Sequence, residues 1–163
     1  MADTIDNGEN GIWLYCSNSA IRRASRQLGQ LYDDAMGDSA LRGTQFSLLS
    51  QILLLGQPSL KVLAKAMVMD LSALGHTLKP LLRDGLVEMV ADEYDRRVKR
   101  VRLTTLGRST QADVATRWKD AQRRFDEAFG KDRSAELRRT LAFISSPDFA
   151  KAFASTGSGP SKA

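Results

Sequence analysis

Between Asp70 and Leu103 the spacing of apolar residues changes from three-and-four to two, and this switch constrains the fold more than any other feature of the chain. Leu74, Leu78, Leu81 and Leu82 recur at helical spacing and stop at Asp84, with Gly85 placed for a left-handed terminal residue. Residues 86–90 then form a short β-prone run and residues 91–96 are polar and turn-like. From residue 97 to 103, apolar Val101 and Leu103 alternate with Arg100 and Arg102. The spacing therefore predicts a helix from about Asp70 or Ser72 to Asp84 that leads directly into a β-hairpin. Pro80 falls inside that helix, where a missing N–H predicts a kink or a short first segment.

The rest of the chain reads as helix. Ile21, Ala24, Leu28, Leu31, Tyr32 and Ala35 mark one apolar face, broken by Gly37 and Asp38. Thr44 offers a cap for a second helix with Phe46, Leu49, Ile52 and Leu53, which stops at Gly56 before Pro58. Ser59 caps a short third helix carrying Leu60, Leu63, Ala64 and Met67, separated by Val68 and Met69 from the fourth. After the hairpin, Thr104 or Thr105 caps a long helix with Leu106, Val114, Trp118, Ala121, Phe125 and Ala128, closed by Gly130. A last helix starts near Ser134, is interrupted by Pro147 and ends in an apolar edge of Phe149 and Phe153. The expected organisation is a flexible start (1–12), a first helical segment (13–40), a lobe containing the hairpin (41–104), C-terminal helices (105–154) and a Gly/Ser/Pro tail (155–163) that is disordered.

Composition narrows the function. The formal net charge is +5 and there is one cysteine and one histidine in 163 residues. A single cysteine excludes an intrachain disulfide framework and a cysteine-built zinc site, and fits a reducing cytoplasm. The start carries Asp3, Asp6 and Glu9 instead of a basic segment followed by an apolar run, so no signal peptide is expected. Nothing approaches the roughly 20 apolar residues of a membrane span. One His and one Cys on different elements make no catalytic dyad, and there is no glycine-rich phosphate loop or metal-spaced cluster. An enzyme, a cofactor and a metal are therefore not expected.

Two adjacent short helices followed by a hairpin with a basic second strand are the parts of a winged helix-turn-helix, whose second helix enters the major groove of DNA. Arg96, Arg97, Lys99, Arg100 and Arg102 stand in one short stretch at the hairpin, slim enough to reach a minor groove or follow phosphates. A basic run taken alone is usually a solvated face. Its place beside the helix pair favours double-stranded DNA.

The run LLRDGLVEMVADEYDRRVKRVRLTTLG, residues 81–107, resembles the MarR-type regulators. Leu81, Gly85, Leu86 and Val87 match that family's Leu-x-x-x-Gly-Leu-Val element. Asp95 and Arg97 match its Asp-x-Arg wing, and Leu103, Thr104 and Gly107 its Leu-Thr-x-x-Gly. LRGTQFSLL, residues 41–49, resembles the start of its second helix, so the resemblance spans roughly residues 20–130. It implies a mainly α protein with a small β-hairpin wing, a homodimer built from the first and last helices, and a pseudo-palindromic operator bound by two recognition helices and two wings, usually to repress transcription. The alternative that the long helix is a dimer arm of an interaction module without DNA function explains that helix but not the wing.

With Leu74, Leu78 and Leu81 buried, helical spacing exposes Ser72, Ala73, Gly75, His76, Lys79 and Arg83. Ser72 and His76 are candidates for base-edge or phosphate contacts, though His76 reads equally as an exposed helix residue with no special role. Thr77 either joins them or ties back to its own helix. Lys79 and Arg83 suit phosphates; Arg97, and secondarily Arg96, suit insertion into a minor groove from the wing, where Lys99 is a further DNA-binding candidate. Asp95 is expected to order the wing through hydrogen bonds or an ion pair with a nearby arginine. Ala73 and Gly75 stand where many relatives carry longer side chains, which shifts specificity toward His76, thymine methyls and DNA shape.

Two inputs could switch such a regulator. Family branches that sense organic peroxides carry a reactive cysteine near the position of Cys16, in IWLYCSNS, and a thiol at a helix N-terminus gains thiolate character. A free cysteine beside aromatics is also an ordinary small apolar residue. The family resemblance equally implies a small aromatic ligand between the dimerisation helices and the DNA-binding lobe, with Trp13, Tyr15, Tyr32, Phe46 and Trp118 as candidate walls. For any one of these aromatics core is the commoner reading, because aromatics at helical spacing mostly pack. The sequence does not choose between oxidant and ligand.

Overall fold

The structure is a computed structural model and describes residues 15–39 and 41–156. In chain order the elements are α1 (Ser17–Met36), α2 (Gly43–Leu55), α3 (Leu60–Ala66), α4 (Leu71–Arg83), β1 (Val87–Ala91), β2 (Lys99–Leu103), α5 (Thr105–Phe129), α6 (Lys131–Ile144) and α7 (Pro147–Thr156). The mainly helical class with one antiparallel hairpin is what the change of period predicts. The strands pair Val87 with Leu103, Met89 with Val101 and Ala91 with Lys99. Because strand side chains alternate, this register sends Val87, Val101 and Leu103 into the core and the arginines outward.

One core unites α2, α3, α4 and the hairpin. Leu48, Leu49, Ile52, Leu63, Leu74, Leu81 and Val101 are all essentially inaccessible, each contributing about 1.5–3 kcal/mol of burial. The hairpin is also stitched to the chain before α3: Val101 N–H donates to the Pro58 carbonyl at 3.0 Å, and Ser59 forms a bridge with Arg100. The wing is thus anchored at its base to the same core that carries α4.

Local chemistry sets the element ends. Ser59, Asp70 and Thr104 accept from the backbone of Val62, Ala73 and Gly107 at 3.3, 2.7 and 3.0 Å, capping α3, α4 and α5. Two expectations are corrected. Thr44 does not cap α2. The cap position is Arg42, whose N–H is taken by the Gln45 side chain at 3.0 Å, while Asp33 of α1 accepts from Gly43 N–H at 2.8 Å. Ser134 does not begin α6, which starts at Lys131 directly after the positive-φ Gly130. Pro147 begins α7, and Ser146 accepts from Phe149 N–H at 3.2 Å. Proline is suited to a first helical position because its missing N–H has no intrahelical partner there. Pro80 lies inside an α4 that runs on to Arg83 without a break.

Helices α3 and α4 end in the same way and with different residues. After α4, Gly85 N–H reaches Leu82 O at 3.2 Å and Leu86 N–H reaches Leu81 O at 2.9 Å, with Gly85 at φ +67°. After α3, Val68 N–H reaches Lys65 O at 3.2 Å and Met69 N–H reaches Ala64 O at 2.9 Å, with Val68 at φ +53°. Both are Schellman motifs, whose left-handed residue is usually glycine. The left-handed conformation costs an L-residue roughly 1–2 kcal/mol, so the turn between α3 and α4 is held against local strain.

Candidate nucleic-acid interface

Burial of Leu74, Leu78 and Leu81 fixes how α4 is rotated, and the opposite side of the helix is open. Ser72, His76, Lys79 and Arg83 are exposed, and Ala73 and Gly75 are half-buried. A Cβ built on Gly75 meets nothing within 4 Å, so packing does not require glycine there. Thr77 donates to the Ala73 carbonyl at 3.0 Å and is turned back on its own helix. Arg83 pairs with Asp84 at 2.8 Å, which raises the arginine's pKa and lowers that of Asp84.

At the wing, the basic residues divide into two groups that their spacing does not distinguish. Arg102 pairs with Glu88 across the strands at 2.8 Å, and Arg100 pairs with Asp92 while donating to the Gln57 carbonyl at 2.8 Å. These two guanidiniums are committed within the protein. Arg96, Arg97 and Lys99 stand at the exposed end of the hairpin, the Arg97 side chain 92% accessible. Asp95 accepts from Arg97 N–H at 3.0 Å and from its Nε at 3.1 Å, which restrains this exposed arginine.

The residue that organises the wing is Asp92, which the sequence reading does not single out. It is the one buried carboxylate among the described residues. Its Oδ1 accepts from Tyr94 and Asp95 N–H, both at 2.9 Å, and its Oδ2 from Arg100. The Asp95 amide, the Arg100 guanidinium and the Tyr94 amide, in that order, hold the Asp92 carboxyl below its ordinary pKa. The available signal was an Asp opening a polar turn, where its side chain binds amides two and three residues on.

Behind α4 lies a cavity of about 800 Å³. Tyr32 of α1, Trp118 and Gln122 of α5 and Arg138 of α6 line one side; Met67, Met69 and Thr77 line the side toward the α3–α4 turn. Of the five aromatics proposed as walls, Tyr32 and Trp118 are there. Phe46 is a correction: it is buried in the core, its ring centroid 5.9 Å from that of Trp118 in a tilted arrangement. Tyr15 is a second, since it is exposed and not part of the lining. Trp13 lies outside the described residues, as do nearly all of the proposed flexible start and tail. The Tyr32 hydroxyl donates to Gln122 at 2.9 Å and Gln122 donates to Asp126 at 2.9 Å, with Arg138 at 3.4 Å from the same carboxylate oxygen. Burial, chiefly, raises the Tyr32 pKa.

Cys16 occupies the cap position of α1 and is partly exposed. The backbone N–H of Ser19, then its hydroxyl, lower the thiol's pKa. Among the described residues there is no group of acidic, His and Cys side chains suited to a metal, and no helix long and apolar enough to cross a membrane.

Comparison with known proteins places this arrangement. The model of the MarR family matches residues 41–99, the stretch from α2 to the wing. The M. tuberculosis transcriptional regulator MOSR, solved in complex with DNA, is 34% identical; the alignment covers 84% of this chain and 97% of that one, with a TM-score of 0.73. The chain belongs to the MarR family. Regulators of the MarR family are dimeric DNA-binding transcription factors, not enzymes. Two further structures share the fold. A mutant of E. coli MarR complexed with operator DNA is 23% identical over 78% of this chain and 91% of that one, with a TM-score of 0.70. PcaV of Streptomyces coelicolor, in complex with its natural ligand, is 19% identical over 82% and 96%, also with a TM-score of 0.70. A comparison with curated protein sequences gave no match.

Proposed function

We propose that this MarR-family protein is a cytoplasmic repressor that grips a pseudo-palindromic operator as a homodimer and is released by a small aromatic ligand. The observation that carries the DNA contacts is the open face of α4 beside the exposed end of the wing. Ser72 and His76 face base edges, with Ala73 and Gly75 leaving the helix surface low enough for close approach. Lys79, Arg83 and Lys99 hold phosphates, Arg83 exchanging Asp84 for the backbone. Arg97, with Arg96, enters the minor groove while Asp95 sets its direction. Residues 41–104 form the DNA-binding lobe, and residues 13–40 and 105–154 the dimerisation region.

The ligand reading rests on the cavity between α1, α5 and α6 on one side and the α3–α4 turn on the other, with Tyr32 and Trp118 as aromatic walls. A ligand that fits only one arrangement of these elements shifts the dimer toward it. Lowering of the Cys16 pKa favours a second input, oxidation of that thiol by organic hydroperoxide.

The DNA contacts are tested by titrating duplex operator at several salt concentrations. Log affinity is expected to fall linearly with log salt, by about 0.9 per phosphate neutralised. Arg97→Ala is expected to weaken binding roughly tenfold and to reduce that slope by about 1. Identical, salt-independent affinities for wild type and Arg97→Ala would overturn the assignment.

A further inference from the structure

The turn between α3 and α4 combines three features that the DNA contacts do not use. Val68 holds φ +53° at the position where the matching turn after α4 has Gly85. Its two neighbours are both methionines. Met67 and Met69 are half-buried and line the open cavity behind α4, and Met67 also packs on the core. Met69 is the next residue but one to Leu71, where α4 begins, and directly precedes its cap, Asp70.

In a Schellman motif apolar contacts of the residues around the left-handed one frequently help to hold the turn closed. Here those residues are Met67, which packs on the core, and Met69, which lines the cavity. A turn containing glycine would need little help. One containing a β-branched residue at positive φ depends on its apolar contacts, because the backbone alone prefers to relax.

We propose that Met67 and Met69 form an oxidation site through which oxygen-donating oxidants of the hypochlorous acid class release the protein from DNA. Each thioether takes one oxygen from hypochlorous acid. The sulfur gains an S=O bond and loses two electrons, the O–Cl bond breaks, and chloride and a proton leave. The sulfoxide is polar and prefers water to the apolar side of the turn. Met67 then withdraws from the core and Met69 from the apolar lining of the cavity, the strain at Val68 relaxes, and α4 loses the fixed starting point that sets its position against the groove. Met36, 1% accessible, is shielded from the same chemistry. The site uses no thiol and is independent of Cys16. It rests on the DNA-binding reading, because its output is the placement of α4.

The experiment compares three proteins: Cys16→Ser, Cys16→Ser with Met67→Leu and Met69→Leu, and Cys16→Ser with Val68→Gly. Operator affinity is measured before and after stoichiometric hypochlorous acid, and each methionine's oxygen content is read by peptide mass spectrometry. Leucine is close in volume to methionine and cannot form a sulfoxide. Cys16→Ser is expected to gain oxygen at Met67 and Met69 and to lose at least tenfold in affinity, and methionine sulfoxide reductase is expected to restore it. The double leucine protein is expected to keep its affinity within twofold, and Val68→Gly to lose less than Cys16→Ser alone. Full affinity of Cys16→Ser with both methionines oxidised would overturn the proposal, as would equal losses in all three proteins or oxidation confined to other methionines. If the untreated proteins show no salt-dependent DNA binding, the DNA reading fails first and takes this one with it.

Discussion

At Gly107 only a hydrogen separates α5 from the backbone that leads into β1. A Cβ built there lies 1.9 Å from the Leu86 carbonyl oxygen and 2.8 Å from its carbon. That same oxygen accepts from Thr104 N–H at 3.1 Å, and the Thr104 hydroxyl donates to Gly85 O at 2.6 Å. The end of α4, the start of the wing and the start of α5 meet at this point, with no flexible side chain that could yield. Gly107→Ala is therefore expected to destabilise the protein by about 3 kcal/mol or to prevent folding; urea unfolding monitored by circular dichroism measures it. The glycine of the Leu-Thr-x-x-Gly element was legible as a motif. Its reason was not, because Leu86 is twenty-one positions away in the chain and touches it only in the fold.

Elements show the same division. The wing's strands, and the caps Ser59, Asp70 and Thr104, follow from local chemistry and were readable along the chain. Which of the five basic residues stand at the exposed end of the hairpin and which pair at its base depends on cross-strand register and on Asp92, so it was not. The pH dependence of the wing follows from that carboxylate. Its folded-state pKa lies below its unfolded value, so its contribution is present above the unfolded pKa, about 3.9 for a free Asp. It is lost as pH falls through the folded pKa. In wild type, the Tyr94 and Asp95 amides are expected to stay protected from hydrogen exchange at neutral pH and to open only on acidification below the usual carboxylate range. Asp92→Asn is expected to leave them exchanging faster at neutral pH with little further change in acid. Equal protection in the two proteins across the titration would show that Asp92 does not order the wing.

Over the whole molecule, one group of the apolar residues that a protomer leaves in water lies on its terminal helices. Ile21 and Leu31 on α1, Leu141 and Phe143 on α6 and Phe153 on α7 are all exposed, and Phe143, Phe149 and Phe153 form a continuous aromatic row. A dimer of the MarR family needs a surface of this kind, and the proposed dimerisation region contains it. Phe153 is 72% accessible, so replacing it leaves the protomer core intact. Phe153→Glu is expected to weaken dimerisation roughly a hundredfold, from about 1.5 kcal/mol lost on each of two copies; sedimentation at a series of concentrations measures it. Unchanged dimerisation would place the interface elsewhere.

By itself the sequence determined the order of helices and hairpin, the buried face of α4, the basic wing and the family, because each is written in spacing along neighbouring residues. Only the tertiary structure decided that Phe46 belongs to the core while Tyr32 and Trp118 face a cavity, that Arg100 and Arg102 form ion pairs with Asp92 and Glu88, and that Met67 and Met69 flank a strained turn. The physical reason is the same in each case. Periodicity tells a residue which side of its own element it occupies, whereas the partner it meets there comes from an element whose distance along the chain carries no information about its distance in space.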